Sequence, residues 1–342
     1  MSLKEKSRLK KKVSSSKIYL INWLKTFRGK LTVICLIALF IVPLFTQNRY
    51  YLGIFITSMI FAIFAASWDF LAGFTGQVSF GHAIFFGIAG YITSFFIRYV
   101  FTPLFGETVW WLALIIGALV GVVFGLLIGI PALRLKGPYL GLGTMVLGLI
   151  MFNVFLNVRF EPWLGGSEGI SQIPQISRNA IDNYYIHLIL MIATFEILIW
   201  ITKSKMGTVL KSIRDDNKGA EASGINLTKY KIIAFMISAF FAGIAGSLFA
   251  MHNRGVNPGV YQPLYSFYAI VMASLGGIAT ISGSALGSYF FWFVAEIFSE
   301  WPDVSVFIFS IILIIVIRFA EHGILKPIVE KLKDLYDILI GR

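Results

Sequence analysis

The sequence predicts an all-α polytopic membrane protein with about ten transmembrane helices, and three observations carry that prediction. Of 342 residues, 57% are hydrophobic and only 13% charged, too few charges to clothe a soluble domain of this length. The apolar residues gather into runs comparable to the length needed to cross a bilayer core of about 30 Å. The formal net charge is +12, and the cations lie beside those runs, where anionic headgroups attract them. Lipid is therefore the expected partner of this basic surface, and nucleic acid is not. Cys35 is the single cysteine, which excludes an intramolecular disulfide and a cysteine-based metal site.

In chain order, residues 1–30 form a basic arm whose one acid is Glu5. Such an arm is held on the cytoplasmic side. The apolar run at 31–46 lacks a small-x-small cleavage site and reads as a retained first span. Further runs follow at 50–72, 78–101, 109–131, 138–157, 184–202, 232–251, 265–282, 285–299 and 304–317. Arg134, Lys136, the basic segment 203–231 and the cations from Arg318 onward then share the side of the N-terminus, so both termini are expected in the cytoplasm. Glu107, Arg159, Glu161, Glu168, Arg178, Asp182, Glu300 and Asp303 make a mixed outer set. The expected organisation is an N-terminal arm at 1–30, a membrane domain at 31–325 and a C-terminal tail at 326–342. Gly117, Gly121, Gly125 and Gly129 form a smooth stripe in the fourth run, a device for close helix packing within the chain or between subunits.

The long polar insert at 203–231 also reads as folded. Val209, Leu210 and Ile213 recur at helical spacing, Asp215 to Asn217 offer cap chemistry, and Gly224 suits a left-handed helix end. Two short helices in a cytoplasmic knob would fit a groove on a soluble partner, whereas an ordinary solvated loop would carry the same charge. A second polar stretch, residues 71–83, joins two apolar runs without a basic residue. Gly73, Gly76, Gln77, Ser79, Gly81 and His82 are costly there unless the backbone is broken beside a cavity or buried in protein. A broken helix offers N–H groups to a carboxylate and carbonyls to an ammonium, while a short turn with His82 merely satisfied is the plainer alternative. Asp69, Glu196 and Glu296 lie in or near apolar runs, where an acid is a functional candidate by default.

These stretches carry a resemblance. Glu221-Ala222-Ser223-Gly224-Ile225-Asn226 resembles the shortened coupling loop of ABC importer permeases. Met206-Gly207, Lys211, Ile213 to Asp216 and the segment from Ala234-Phe235 to Gly246 are similar to the branched-chain amino acid permease branch, in its M-type form. Gly73 to Ala83 matches a Gly-Tyr-x-Gly-Gln-x-Ser-x-Gly-His-Ala signature of that branch, and Leu164 to Ile170 matches its outer glycine loop, with Leu164 and Ser223 as departures. The resemblance covers about residues 50–325. It implies an importer permease with cytoplasmic coupling helices in a bacterial or archaeal inner membrane. Gly207, Arg214, Glu221, Ala222, Gly224 and Ile225 would couple to an ATPase, and Asp69 with Gly73 to His82 would border the translocation path. The implied partners are a second homologous permease chain, two cytoplasmic ATPase subunits that bind ATP and Mg, and an extracytoplasmic substrate-binding protein. Branched-chain amino acids are the expected substrates, with urea or short amides as the alternative within the same type of permease. An ion-coupled secondary transporter would instead require paired intramembrane ionisable groups. No Walker A, metal cluster or nucleophile constellation is present in the sequence, so the chain is expected to be a transport subunit and not an enzyme, with no cofactor of its own.

Overall fold

A computed structural model describes residues 27–105, 109–135 and 137–298, together with 307, 311 and 314. The basic arm before residue 27, Glu107, Lys136, most of the apolar run at 304–317, and the 326–342 tail lie outside the described residues. Helix α1, Phe27–Phe45, with Pro43 inside its last turn, belongs to a separate compact unit from the remaining helices.

The main unit is built on α2, Arg49–Thr75, whose 27 residues span about 40 Å at the helical rise. Its mean apolarity is even around the axis, as expected of a helix buried on all sides. Helix α3, Ala83–Phe95, continues through a π-helical turn at Phe96–Phe101 into α4, Thr102–Phe105. Then come α5, Trp110–Ala132, and α6, Pro138–Leu156. A short α7, Glu161–Leu164, leads to strand β1, Ile170–Ser171. Next are α8, Ala180–Lys203; α9, Lys205–Asp215; α10, Asn217–Ala222; and α11, Leu227–His252. Strand β2, Gly255–Val256, pairs antiparallel with β1, bringing the outer glycine loop onto the segment after α11. The described helices end with α12, Pro263–Gly276, and α13, Ile281–Ile297.

Helices α8, α11, α12 and α13 all pack on α2, and α11 also receives α3 and α5. Among the described residues, six helices are long and apolar enough to cross a bilayer; α12 and α13 form a further pair bent by 111°, a broken span or a re-entrant loop. The runs at 265–282 and 285–299 are therefore two limbs of one bent element. The α5 stripe faces α11 within the chain: a side chain at Gly125 would press on Ala239 at 2.7 Å, and one at Gly129 on Phe235 at 3.3 Å. Helices α6 and α8 keep most of their surface outward, with 22% and 33% of their apolar windows buried against 83% for α2.

Candidate translocation and coupling site

The insert at 203–231 folds into two short helices because its caps and its apolar spacing agree. The Ser204 side chain accepts from the Met206 N–H to open α9, and Asp216 accepts from the Lys218 N–H to open α10. Leu210 and Ile213 are buried on the inner side of α9. Helix α10 stops in a Schellman motif, with the Ile225 N–H bonded to the Ala220 carbonyl at 3.1 Å and the Gly224 N–H to Glu221 at 2.9 Å. Gly224 has φ +82 and open space around its Cα, so the turn requires glycine for its backbone and not for room. Glu221, Ala222 and Gly224 are exposed and Ile225 is half-buried. Gly207 is buried, and a side chain there would overlap the Thr202 backbone; it sets the α8–α9 corner and presents no surface.

Arg214 turns inward. Its Nη1 donates to the Gly73 carbonyl at 2.9 Å, while Asp215 receives the other edge of the guanidinium at 2.8 Å. A cation on the last turn of α2 satisfies one orphan carbonyl and complements the helix dipole. Lys211 lies 5.4 Å from the Phe74 ring centre, in the range of a cation–π contact. The knob is thus fixed to the C-terminal end of α2.

The same end of α2 holds the α12–α13 bend. Asp69 Oδ1 accepts from the Ala279 N–H at 2.6 Å, across 210 positions of sequence. Ala279 sits at φ 62 and Gly277 at φ 100, and Thr280 Oγ1 donates back to the Gly277 carbonyl. A Cβ on Gly73 would meet Asp69 Oδ1 at 2.5 Å and Ala279 N at 2.6 Å. Gly73 is therefore the point of close approach between α2 and the bend, and Arg214, Gly73, Asp69 and Ala279 form one continuous chain of contacts.

Residues 76–82 are a true break. Gly76, at φ 72, lies 3.5 Å from Arg214 by its would-be Cβ. The chain then re-enters the bundle as far as Ser67, where His82 is fully buried. Ser67 Oγ donates to the Phe64 carbonyl and Ser238 Oγ to the Ser67 carbonyl, both at 2.6 Å. With both hydroxyl protons engaged, His82 Nε2 is the donor to Ser67 Oγ at 2.9 Å. Three N–H groups at the break are taken by side chains of other helices: Phe80 and Gly81 donate to Thr144 Oγ1 at 3.1 and 3.3 Å, and Ala83 donates to Ser266 Oγ at 3.0 Å. The Ser79 carbonyl accepts from Trp68 Nε1 at 2.8 Å. Gln77 Oε1, Ser79 Oγ and His82 Nδ1 are buried without a side-chain or backbone partner among the described residues, so the break still has polar atoms to offer. Thr144, Ser266, Ser67 and Ser238 escaped the sequence reading; their signal is an isolated hydroxyl in an apolar run, the residue type that bonds across membrane helices.

Thr144→Val leaves two buried N–H groups orphaned at about 1–3 kcal/mol each. A clear drop in the thermal unfolding temperature in detergent is the expected result, with Thr144→Ser close to wild type. Unfolding of the valine variant at the wild-type temperature would show that Thr144 does not hold the break.

Above the break, Phe61, Phe64, Phe86, Phe249 and Trp292 fill the space between α2, α3, α11 and α13, with ring centres as close as 4.7 Å for Phe64 and Phe86. Asp69 and Glu296 lie near opposite ends of α2. Glu296 accepts from the Tyr50 hydroxyl, which on α2 is about 30 Å from Asp69 at the helical rise. Glu196 is exposed on α8.

A family model described as "Branched-chain amino acid transport system / permease component" matches residues 50–317. The high-affinity branched-chain amino acid transport system permease protein LivM of Escherichia coli (strain K12) is 25% identical, covering 90% of this chain and 77% of that protein. A probable branched-chain amino acid transport permease protein LivM of Methanocaldococcus jannaschii is 24% identical, over 72% of this chain and 79% of its own length. The nucleoside ABC transporter permease protein NupC of Lactococcus lactis subsp. cremoris is 23% identical over 62% of this chain and 74% of that protein. No solved structure matches.

Proposed function

This chain belongs to the permease-component family of branched-chain amino acid transport systems, and we propose that it is the membrane-spanning subunit of an ABC importer for leucine, isoleucine and valine. The observation that carries the proposal is the knob of α9 and α10, whose exposed tip at Glu221, Ala222 and Gly224 faces away from the bundle while Arg214 ties its root to α2. An exposed, capped helical tip of this kind suits a groove on a soluble partner. In this reading the partner is a cytoplasmic ATPase, present in two copies that bind ATP and Mg. A second, similar permease chain completes the membrane part, and an extracytoplasmic binding protein delivers substrate.

Closure of the ATPases moves the knob as a rigid piece. Because Arg214 holds the Gly73 carbonyl and Asp69 holds the Ala279 N–H, that displacement reaches the end of α2 and the α12–α13 bend together. A bend with left-handed residues at 277 and 279 is a two-position element suited to switching between inward-open and outward-open states. The chain itself performs no chemistry. It resides in the cytoplasmic membrane with the knob and both termini on the inner side. Asp69 and Glu296 lie near opposite ends of α2, which favours this reading over an ion-driven carrier built on that acid pair.

Uptake of labelled L-leucine and labelled urea by cells carrying the chain or its Gly224→Trp variant tests this reading. Leucine uptake falls by at least about tenfold if docking, worth a few kcal/mol, is lost. Loss of urea uptake with leucine uptake unchanged would reassign the substrate to short amides. Wild-type uptake of both would remove the docking role of Gly224.

A further inference from the structure

The two ring nitrogens of His82 meet different surroundings. Nε2 lies 2.9 Å from Ser67 Oγ and 3.4 Å from Ser238 Oγ. Both hydroxyl protons are spent elsewhere, on the Phe64 and Ser67 carbonyls, so both oxygens face the ring as acceptors and the proton sits on Nε2. Among the described residues, none of the groups bonded to this ring or packed against it is an acid, so a second proton would leave a buried charge unmatched and the ring is neutral. Nδ1 is then a bare lone pair. It is buried without a partner among the described residues, on a side chain of 0% exposure. A histidine that merely completes the packing has both nitrogens paired, and an acceptor left empty in the interior is costly.

Aromatic rings surround this lone pair. The His82 ring centre is 5.4 Å from that of Phe64 and 5.5 Å from that of Phe85, and Phe86 lies 4.7 Å from Phe64. Aromatic faces attract a cation within about 6 Å, and the same rings are apolar enough to pack an aliphatic chain. A neutral acceptor among such rings holds an ammonium without a fixed negative charge, whereas Asp69, the acid at this end of α2, spends Oδ1 on the Ala279 N–H. That difference suits passage, since a conducted group must bind well enough to enter and loosely enough to leave. In chain order toward the knob, the break offers two more buried atoms with lone pairs, Ser79 Oγ and Gln77 Oε1. The limbs of the α12–α13 bend cover this level: Tyr265 lies 6.1 Å from Phe86, Trp292 lies 4.9 Å from Phe61, and Ser266 holds the Ala83 N–H. A swing of the bend at 277–280 therefore uncovers it.

We propose that His82 Nδ1 accepts the ammonium of the transported amino acid, with Phe64 and Phe85 beside it, and that Ser67 is a positioning residue that keeps the imidazole proton on Nε2. This rests on the importer reading for the identity of the substrate. The ammonium supplies the donor that Nδ1 lacks, and the aliphatic side chain of the same molecule packs on the rings.

The test uses the full chain in nanodiscs with isotope-labelled histidine nitrogens, observed by nuclear magnetic resonance, the His82 signals being identified by their loss in His82→Gln. The free chain is expected to show Nε2 protonated and Nδ1 bare. L-leucine is expected to move the Nδ1 signal toward the hydrogen-bonded range, and the keto acid of leucine, which has a carbonyl in place of the ammonium, is expected to leave it unchanged. Ser67→Ala spreads the proton over both nitrogens and cuts the leucine-induced shift at least about twofold, in proportion to the competent tautomer, while Ser67→Thr restores it. A protonated Nδ1 in the free chain, no movement with leucine, or equal movement with the keto acid would overturn the ammonium site. An undiminished leucine shift in Ser67→Ala would overturn the positioning role. Movement with urea and none with leucine would overturn the ammonium assignment in favour of an amide donor. Capture of ATPase subunits by the same preparation is read in parallel. Capture without a leucine shift removes the ammonium site and leaves the importer reading, whereas a leucine shift without capture does the reverse.

Discussion

Glu221→Arg yields a chain that folds and unfolds as wild type but no longer retains an ATPase, with capture reduced at least about tenfold. Glu221 is exposed on α10, and its backbone carbonyl serves the Schellman turn whatever side chain it carries. Exposed substitutions of this kind change stability by about 0.5 kcal/mol or less. Reversing the charge at a docking tip is different, since a like-charge contact in an interface costs several kcal/mol. Thermal unfolding together with ATPase capture by the tagged chain separates the two effects. Undiminished capture by Glu221→Arg would mean that the tip does not enter the groove.

The second large effect is on the other side of the relay. Gly73→Ala drives a methyl into Asp69 Oδ1 and the Ala279 backbone at 2.5–2.8 Å. Overpacking costs about 1–3 kcal/mol, and displacing Ala279 from Asp69 adds about 1–3 kcal/mol for the buried group left unmatched. The expected variant unfolds several degrees lower, still captures the ATPase through an intact knob, and transports poorly. Asp69→Asn keeps an acceptor for the Ala279 N–H and should retain more transport than Asp69→Ala. A Gly73→Ala chain with wild-type uptake would break the link between the knob and the bend.

Those two substitutions also mark what was legible in the sequence. The knob was legible because its signals are local: Val209, Leu210 and Ile213 at helical spacing, Asp216 as a cap and Gly224 as a stop all act within one or two turns. The helix break was legible for the same reason, since glycines and polar side chains cluster at 73–82. The α12–α13 bend was not, because the runs at 265–282 and 285–299 have the composition of two ordinary spans, and the acid that holds the bend lies on α2. Arg214 illustrates the limit most clearly. The resemblance assigned it to ATPase coupling, and the sequence held no sign of its bond to the Gly73 carbonyl, which only the tertiary structure places within reach. Likewise nothing in the sequence of the break shows that Thr144 and Ser266, from two other helices, take the N–H groups of Phe80, Gly81 and Ala83.

The most direct measurement of the central claim, that the α9–α10 knob is the docking element of an ABC importer permease, is a pull-down of the tagged full chain from mild detergent. Partners are identified by mass spectrometry and the experiment is repeated with residues 206–230 replaced by a flexible linker. The docking role predicts ATPase subunits with the intact chain and none with the replaced one. ATPase recovered equally with both, or with neither while the chain remains folded, would contradict it.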